Sequence, residues 1–277
     1  MEMRQALCEC LDEMMAENEN IVVIDADLAK PNGTFPLRKK YPERAIDVGI
    51  AEQNMASVAA GMSSYGFIPF ITSFTPFASR RICDQIAISI AYAKQNVKII
   101  GSDPGISAEF NGGTHMSMED IGVLRSIPEL VIYEPVDVAQ FKQALPQIVA
   151  YEGPVYIRMF RKTIDDVFTD ANYKFDLFGA DCIQEGTAVT IFCSGIMVQE
   201  TMKANEILKQ EGIDAEIINI HTIKPIDRDA VVASAKKTGA VVVAENHNVI
   251  GGLTSAVCEV LMEEYPVPLR AVGVKDR

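Results

Sequence analysis

The sequence lacks the cysteine and histidine patterns that mark disulfide-stabilised secreted domains and zinc sites. Its six cysteines include no C-x-x-C pair, and the 277 residues contain only three histidines. This pattern is typical of reduced, mostly buried thiols in a cytoplasmic protein, and it argues against a disulfide framework or a zinc centre. We therefore expect a cytoplasmic protein.

Positive charge is also scarce in this chain. Lys and Arg number 25 against 38 Asp and Glu, which gives a net charge of −13 at pH 7. An acidic excess of this size repels a phosphate backbone and argues against a nucleic-acid partner. No apolar run approaches the roughly 20 residues needed to cross a bilayer, and the acidic first segment is unlike a signal peptide. We therefore expect neither nucleic acid nor a membrane as a partner.

The sequence does contain short apolar runs that alternate with longer helical patterns. The runs are Ile21–Asp25, Ile68–Thr72, Val97–Gly101, Leu130–Tyr133, Val155–Met159, Ala188–Cys193, Ala215–Ile220, Ala240–Ala244 and Leu269–Val272. The helical patterns are Arg4–Glu17, Glu52–Tyr65, Phe77–Lys94, Val136–Ala150, Val198–Glu211 and Asp227–Lys237. Such an alternation predicts parallel sheets with crossover helices, and therefore an α/β fold.

The two sets of runs are separated by a segment without periodicity, Thr163–Glu185, which mixes Asp, Phe and Tyr. We interpret it as a linker that lies across the surface and is pinned there by its aromatic side chains. The sequence thus predicts two α/β domains, residues 1–165 and 183–277, joined by a linker at residues 166–182.

Residues able to carry chemistry follow several of the predicted strands. Glu52 stands near the first turn of a predicted helix, where a carboxylate either complements the helix dipole or acts on a ligand. Phe74 and Phe77 lie three residues apart after another strand. Rings in that position either join the core or stack on a planar cofactor, because ligands tend to bind at the carboxyl ends of parallel strands.

A glycine-rich loop follows the strand VKIIG and contains Asp103, Asn111 and His115. Loops of this kind approach ligands closely, and His115 is either a structural residue or a contact for substrate oxygens. Arg158 and Arg161 lie at the end of a further strand, where they form rim salt bridges or clamp a phosphate or carboxylate. All these residues are therefore expected at one edge of the sheet.

Taken in order, the motifs of this chain resemble the C-terminal half of transketolase. The segments that carry the resemblance are DVGIAEQNM, ITSFTPFASRR, NGGTHMSMED, LRSIPELVIYEP, GPVYIRMFRK, HTIKPID and ENHNVIGGL. They span nearly the whole chain in the family's order, as in the small subunit of a split transketolase. The resemblance implies a parallel-sheet domain that binds the pyrimidine of thiamine diphosphate, followed by a transketolase C-terminal-like α/β domain.

The resemblance also implies roles for residues around the cofactor. Glu52 matches the glutamate that hydrogen-bonds N1′ of the aminopyrimidine and activates the cofactor, so it is implied to be catalytic. Phe77 matches the ring that stacks on the pyrimidine. Phe74, Asp27 and Ile50 are implied to lie beside the cofactor.

Further residues are implied to contact the substrate. His115, the second catalytic residue, matches a histidine that contacts substrate hydroxyl or phosphate groups, and Arg161 matches a phosphate-contacting arginine. Arg158, Asp103 and Asn111 complete the implied substrate site. Asp103 replaces a histidine of full-length transketolases and is similar to deoxyxylulose-phosphate synthases, while Asn111 replaces an aspartate. The identity of the sugar is therefore open.

One family motif is absent from the sequence. The family holds its metal and the diphosphate with Gly-Asp-Gly followed by Asn, and no Gly-Asp-Gly occurs here. The resemblance therefore implies that an N-terminal partner subunit holds Mg²⁺ and the diphosphate. It also implies an α₂β₂ heterotetramer, a dimer of heterodimers, and an isolated chain that is inactive.

The implied activity is transfer of a two-carbon ketol unit from a ketose or ketose phosphate to an aldose or aldose phosphate, as in the pentose phosphate part of carbohydrate metabolism. Whether the substrate carries phosphate or another anionic group is open. Two alternatives remain open. The chain could serve a deoxyxylulose-phosphate synthase-like or 2-oxo acid dehydrogenase β-like enzyme, or it could be a non-catalytic homologue that only binds a partner.

Overall fold

The computed structural model describes residues 1–276 and contains two mainly parallel sheets covered by helices. The strands, in chain order, are β1 Ile21–Asp25, β2 Ala45–Asp47, β3 Ile68–Phe74, β4 Lys98–Ser102, β5 Val131–Tyr133, β6 Val155–Met159, β7 Asp181–Gln184, β8 Val189–Cys193, β9 Ala215–Asn219, β10 Thr222–Lys224, β11 Val241–Asn248 and β12 Leu269–Val274.

The α-helices are α1 Met3–Glu17, α2 Ala29–Asn32, α3 Phe35–Lys40, α4 Glu52–Ser63, α5 Thr75–Ala78, α6 Asp120–Leu124, α7 Val138–Ala150, α8 Met197–Gln210, α9 Arg228–Thr238 and α10 Leu253–Glu264. Two 3₁₀ helices, Arg80–Ile82 and Ile106–Asn111, and a π-helix, Gln85–Tyr92, accompany them. Among the described helices, none combines the length and apolar composition that a bilayer crossing requires.

The first sheet has seven strands in the order β10-β5-β6-β4-β3-β1-β2, and the second has five in the order β12-β11-β8-β9-β7. Only β10, which pairs with β5, and β7, which pairs with β9, run antiparallel to their neighbours within the described residues. The nine predicted strands are all present, so the predicted α/β fold is confirmed. The short strands β2, β7 and β10 and the helices α2, α3, α6 and α10 lie outside the predicted runs and helical patterns.

Helices pack on both faces of the first sheet because their apolar residues recur at helical spacing. On one face, Leu7 of α1 and Phe141 of α7 lie in a buried cluster with Phe70 of β3. On the other face, Met55 of α4 lies in a second cluster with Ile71, the next residue of β3. Successive side chains of β3 point to opposite faces of the sheet, so they contribute to both buried clusters. Burying each such side chain stabilises the fold by about 1.5–3 kcal/mol.

The prediction of one continuous helix over Phe77–Lys94 is wrong. The chain instead makes α5, a 3₁₀ turn and the π-helix in succession. Ser79 follows α5 with φ −128° and ψ −90°, and its Oγ donates a hydrogen bond to the carbonyl oxygen of Thr75 at 2.6 Å. This side-chain bond competes with the helical backbone pattern. Phe77 and Arg81 consequently lie on separate short segments.

The segment between the two sets of predicted strands packs against the buried cluster that contains Phe70. Phe175 and Leu177 are buried among the residues of that cluster, and the rings of Phe168 and Tyr173 stack with their centroids 3.9 Å apart. Strand β7 begins at Asp181, near the end of this segment. The predicted boundaries of the linker stay a prediction.

A buried ion-pair network centred on Arg158 joins the two halves of the chain. The guanidinium is fully buried and donates from Nε to Asp120 at 2.8 Å, from Nη1 to Glu134 at 2.5 Å and from Nη2 to the carbonyl oxygen of Asn246 at 2.7 Å. Glu134 also accepts a bond from Ser194 Oγ at 2.6 Å. Although burial opposes the charge, the two carboxylates hold the pKa of Arg158 above its usual range.

We expect Arg158→Met to lower the free energy of unfolding by about 3–5 kcal/mol. The methionine fills the space but leaves the carboxylates of Asp120 and Glu134 buried without their cation. Urea unfolding followed by circular dichroism measures the loss.

The matched control is Arg228→Met, which removes exposed ion pairs with Glu263 and Glu264. Its expected loss is under about 1 kcal/mol, because exposed pairs are screened by water. Equal losses in the two variants would contradict the role given to Arg158.

Candidate active site

A cavity of about 220 Å³ lies where β1 and β3 end and α4 begins. It brings together six residues that the sequence predicts for the site, and it adds Arg81, which is not among them. The lining residues are Ala26, Asp27, Leu28, Ile50, Glu52, Phe74, Phe77, Arg81 and His115. Six of the predicted site residues therefore do lie together beyond the carboxyl ends of the parallel strands.

Glu52 is the first residue of α4 and is only 5% exposed. Gly49 turns the chain from β2 towards this helix with φ +73°, a conformation that favours glycine. The Asp47 carboxylate accepts the N–H of Gly49 at 2.9 Å and the N–H of Asp27 at 3.0 Å. It thereby ties the turn before α4 to the loop after β1. The Glu52 carboxylate accepts a hydrogen bond from Arg81 Nη1 at 2.8 Å.

Three rings form an aromatic wall, which we define as Phe74, Phe77 and His115. The His115 centroid lies 5.7 Å from that of Phe74 and 5.4 Å from that of Phe77, both in edge-on geometry. The two phenylalanine centroids are 6.4 Å apart. The guanidinium carbon of Arg81 lies 4.0 Å from the Phe77 centroid. A flat group therefore already stacks on the ring that sequence reasoning assigns to a planar cofactor.

Arg161 borders the other side of the aromatic wall. Its guanidinium carbon lies 5.0 Å from the Phe74 centroid, and its Nε forms an ion pair with Asp103 at 2.5 Å. The Asp103 side chain is almost completely buried, and this burial raises its carboxyl pKa although Arg161 opposes the shift. Asp103, predicted to touch the substrate, is thus buried against Arg161 and acts by holding that side chain.

A second guanidinium lies beside Arg161. Arg4 Nη1 and Arg161 Nη1 approach the same carbonyl oxygen, that of Pro31, at 3.3 Å and 3.5 Å. The backbone N–H of Arg4 also bonds to the carbonyl oxygen of Arg161 at 3.0 Å. The resemblance to transketolase places Arg4 near another substrate-phosphate arginine, in a loose alignment. In the fold the two guanidinium groups lie side by side, with Glu2 paired to Arg4 at 2.7 Å and Asp103 paired to Arg161.

Two predicted substrate contacts do not line the cavity. Arg158 is fully buried, and its nitrogens are engaged by Asp120, Glu134 and Asn246. Because it is fully buried and all three of its nitrogens bind protein oxygens, it is a structural residue here. Asn111 is exposed on the loop between β4 and α6 and is not part of the cavity lining.

The C-terminal half of the chain fixes the loop that carries Asp103 and His115. Asn246 in β11 accepts the N–H of Ile106 at 3.0 Å and donates to the carbonyl oxygen of Pro104 at 3.0 Å. Gly105 lies between these two contacts with φ +59°, and a Cβ there would stand 2.3 Å from the Asn246 backbone. The loop therefore depends on a residue about 140 positions later, for which the sequence gives no local signal.

Within residues 1–276, one group of three side chains has the spacing of a metal site, namely Cys182, Glu185 and Glu216. None of the three lines the cavity. Lys237 forms ion pairs with both glutamates, at 2.6 Å to Glu216. An ammonium group thus already neutralises the acidic pair.

Comparison with known proteins identifies the class. The chain belongs to the transketolase family, whose members depend on thiamine diphosphate: the model of the transketolase pyrimidine-binding domain matches residues 1–165, and that of the transketolase C-terminal domain matches residues 179–277. The resemblance noted in the sequence is confirmed.

Individual relatives are split subunits. Over 274 residues the chain is 53% identical to the 6-deoxy-6-sulfo-D-fructose transketolase subunit SqwH of Clostridium sp. strain MSTE9, covering 99% of this chain and 85% of the relative. It is 32% identical to an apulose-4-phosphate transketolase subunit of Phocaeicola vulgatus, covering 99% and 87%. A solved split-gene transketolase, described as an inactive β4 tetramer, aligns with a TM-score of 0.91 and 43% identity over 100% of this chain and 90% of that one.

We expect Asn246→Ala to loosen the loop after β4. The Ile106 N–H loses its acceptor, so its hydrogen exchange should accelerate by about tenfold or more while the core strands keep their protection. Hydrogen exchange with mass spectrometry reads peptides covering residues 104–116. The control Asn172→Ala removes an exposed amide and should leave those peptides unchanged; the same exchange rate in all three proteins would rule the contact out as an anchor.

Proposed function

We propose that this chain is the subunit of a transketolase that supplies the cofactor-activating glutamate. The enzyme would move a two-carbon ketol unit from a ketose to an aldose. The observation that carries the proposal is the pairing of a buried carboxylate, Glu52, with an aromatic face, Phe77, across one small cavity. Its match to transketolase subunits along nearly the full chain supports the same reading.

The residues around the cavity fit the aminopyrimidine of thiamine diphosphate. The Arg81 guanidinium, itself flat and edged with N–H groups, already stacks on Phe77 and bonds to Glu52, so this space accepts a planar nitrogenous group. When bound, the cofactor supplies the electron sink for breaking the carbon–carbon bond of the donor. Glu52 would hold the hydrogen bond at N1′, and Phe77 and Phe74 would fix the plane of the ring.

His115 and Arg161 would serve the substrate. The imidazole of His115 borders the cavity and is half-exposed, so it can meet hydroxyl oxygens of the sugar. Arg161, with Arg4 beside it, would bind an anionic group at the far end of the sugar. Asp27 and Ile50, both exposed, would lie at the cofactor's edge. Asn111 would reach the substrate only through motion of its loop.

The metal and the diphosphate would be held by a partner chain. The Gly-Asp-Gly motif of the family does not occur in this sequence, and the cavity lining offers Asp27 and Glu52 as its carboxylates. The active assembly would be α₂β₂, in which each cofactor lies between one chain of this type and an N-terminal subunit. We expect it in the cytoplasm, in keeping with its six free cysteines.

The donor would be a ketose that ends in a tetrahedral anion. The relatives at 53% and 32% identity are named for 6-deoxy-6-sulfo-D-fructose and apulose 4-phosphate. A sulfonate and a phosphate ester both present oxygens that a guanidinium pair can bind. We propose the sulfonated ketose as the first donor to test and ketose phosphates as the second.

We expect Glu52→Ala to lower ketol transfer by about 100-fold or more in the pair reconstituted with the partner subunit. The loss follows because the cofactor would no longer receive its acid–base partner at N1′. A coupled assay for aldose release measures it, and Glu206→Ala, which removes an exposed carboxylate on α8, should retain full activity. Near-normal transfer in Glu52→Ala would refute the assignment.

The same wild-type pair separates the alternatives. Turnover of pyruvate instead of a ketose would favour a deoxyxylulose-phosphate synthase-like or 2-oxo acid dehydrogenase-like enzyme. Failure to bind thiamine diphosphate even with the partner would favour a non-catalytic homologue.

We expect Arg161→Met to raise the KM for a sulfonated or phosphorylated ketose by about 10- to 100-fold, because a charge-assisted bidentate contact is lost. For an uncharged ketose the KM should change little. Steady-state kinetics with both donors measure the difference. Lys162→Met removes the adjacent cation, which pairs with Glu109 at 2.6 Å, and controls for bulk charge. A uniform rise for both donors in Arg161→Met would contradict an anion-binding role.

A further inference from the structure

The side chain of Arg81 fills the space between Glu52 and Phe77. Its Nη1 donates to Glu52 Oε1 at 2.8 Å, and its guanidinium carbon lies 4.0 Å from the centre of the Phe77 ring. A guanidinium is flat, stacks on aromatic faces and carries its N–H donors around its edge. One stacked face and one hydrogen bond to Glu52 are also the two contacts that the proposed function assigns to the aminopyrimidine.

We propose that Arg81 is a built-in competitor of the cofactor. In the chain without thiamine diphosphate, the guanidinium occupies the aminopyrimidine position, and it leaves when the cofactor binds. This inference rests on the proposed function, because it takes Glu52 and Phe77 as the cofactor's partners.

The arrangement suits a side chain that moves. The Arg81 side chain is 43% exposed, whereas that of Glu52 is 5% exposed. Rotation about its own side-chain bonds can therefore carry the guanidinium into water without rearranging the core. Glu52 cannot follow, because it begins α4 with its carboxylate buried.

The two residues are also coupled electrostatically. A buried carboxylate without a partner is unfavourable, so the departure of Arg81 is favourable only when another hydrogen-bonding group, such as N1′ of the cofactor, reaches Glu52. The arginine thus keeps the site paired in the empty chain and opposes weak occupants. The apparent affinity for the cofactor equals the intrinsic affinity multiplied by the fraction of molecules in which Arg81 has moved away.

The preceding residue supplies an internal comparison. Arg80 is exposed and forms an ion pair with Glu119. It does not line the cavity. The two arginines carry the same charge and are adjacent in sequence. Replacing each in turn therefore distinguishes the effect of the stacked, Glu52-bound guanidinium from the general effect of positive charge on an anionic cofactor.

The test is a calorimetric titration of thiamine diphosphate with Mg²⁺ into the chain reconstituted with its partner subunit. We expect Arg81→Ala to tighten binding about tenfold, because the competing contacts are lost. Arg80→Ala should stay within about twofold of the wild type. Arg81→Lys keeps the charge but not the flat face, and its expected gain is about threefold.

Binding in Arg81→Ala that equals or falls below the wild type would overturn the inference, since Arg81 would then support Glu52 in the loaded site. Thermal unfolding of each variant verifies folding, and should Arg81→Ala misfold, Arg81→Lys decides by the direction of its shift. Absence of any binding by the wild-type pair would instead defeat the proposed function, so the two failures are distinguishable.

Discussion

A buried cation, Arg158, ties the two halves of this molecule together, alongside the pairing of β10 with β5. Arg158 leaves the sheet at β6 and reaches Asp120 on α6, Glu134 after β5 and the backbone of Asn246 in β11. Removing a guanidinium from water is unfavourable, and only this full set of partners compensates for it. Because Asn246 also binds the loop after β4, the network that orders the domain contact stands next to the segment carrying His115. The geometry of the site thus depends on the other half of the chain.

Much of the fold could be predicted because parallel strands buried on both faces are nearly uniform in apolar residues. For the site, the sequence predicts only which residues lie near one another, because the carboxyl ends of parallel strands meet at one edge of the sheet. Arg158 and Arg161 show the limit. They are three positions apart, yet one is a buried structural arginine and the other borders the aromatic wall. The acids that bind Arg158, Asp120 and Glu134, are distant from it in sequence. Strand β10 could not be predicted, because three residues are too few to show a periodic pattern.

Several of the chain's few positive charges lie close together in the fold, although the chain as a whole is acidic. Against a net charge of −13, three guanidinium groups lie at or near the cavity: Arg81 lines it, Arg161 borders the aromatic wall, and Arg4 lies beside Arg161. Each is held by a specific acceptor or ring rather than by a diffuse positive surface. Each of the three also pairs with a carboxylate, namely Glu2, Glu52 or Asp103. An anionic ligand at this place would therefore compete with these acids for the guanidinium groups.

Strand β10 lies within the second matched domain but completes the first sheet. A cut between residues 165 and 179, the interval between the two matched family domains, would leave β5 as an unpaired edge and withdraw Asn246 from the site loop. An exposed sheet edge invites association with other chains. The two domains therefore form one structural unit: the first sheet is completed by a strand that is synthesised only after the second domain has begun.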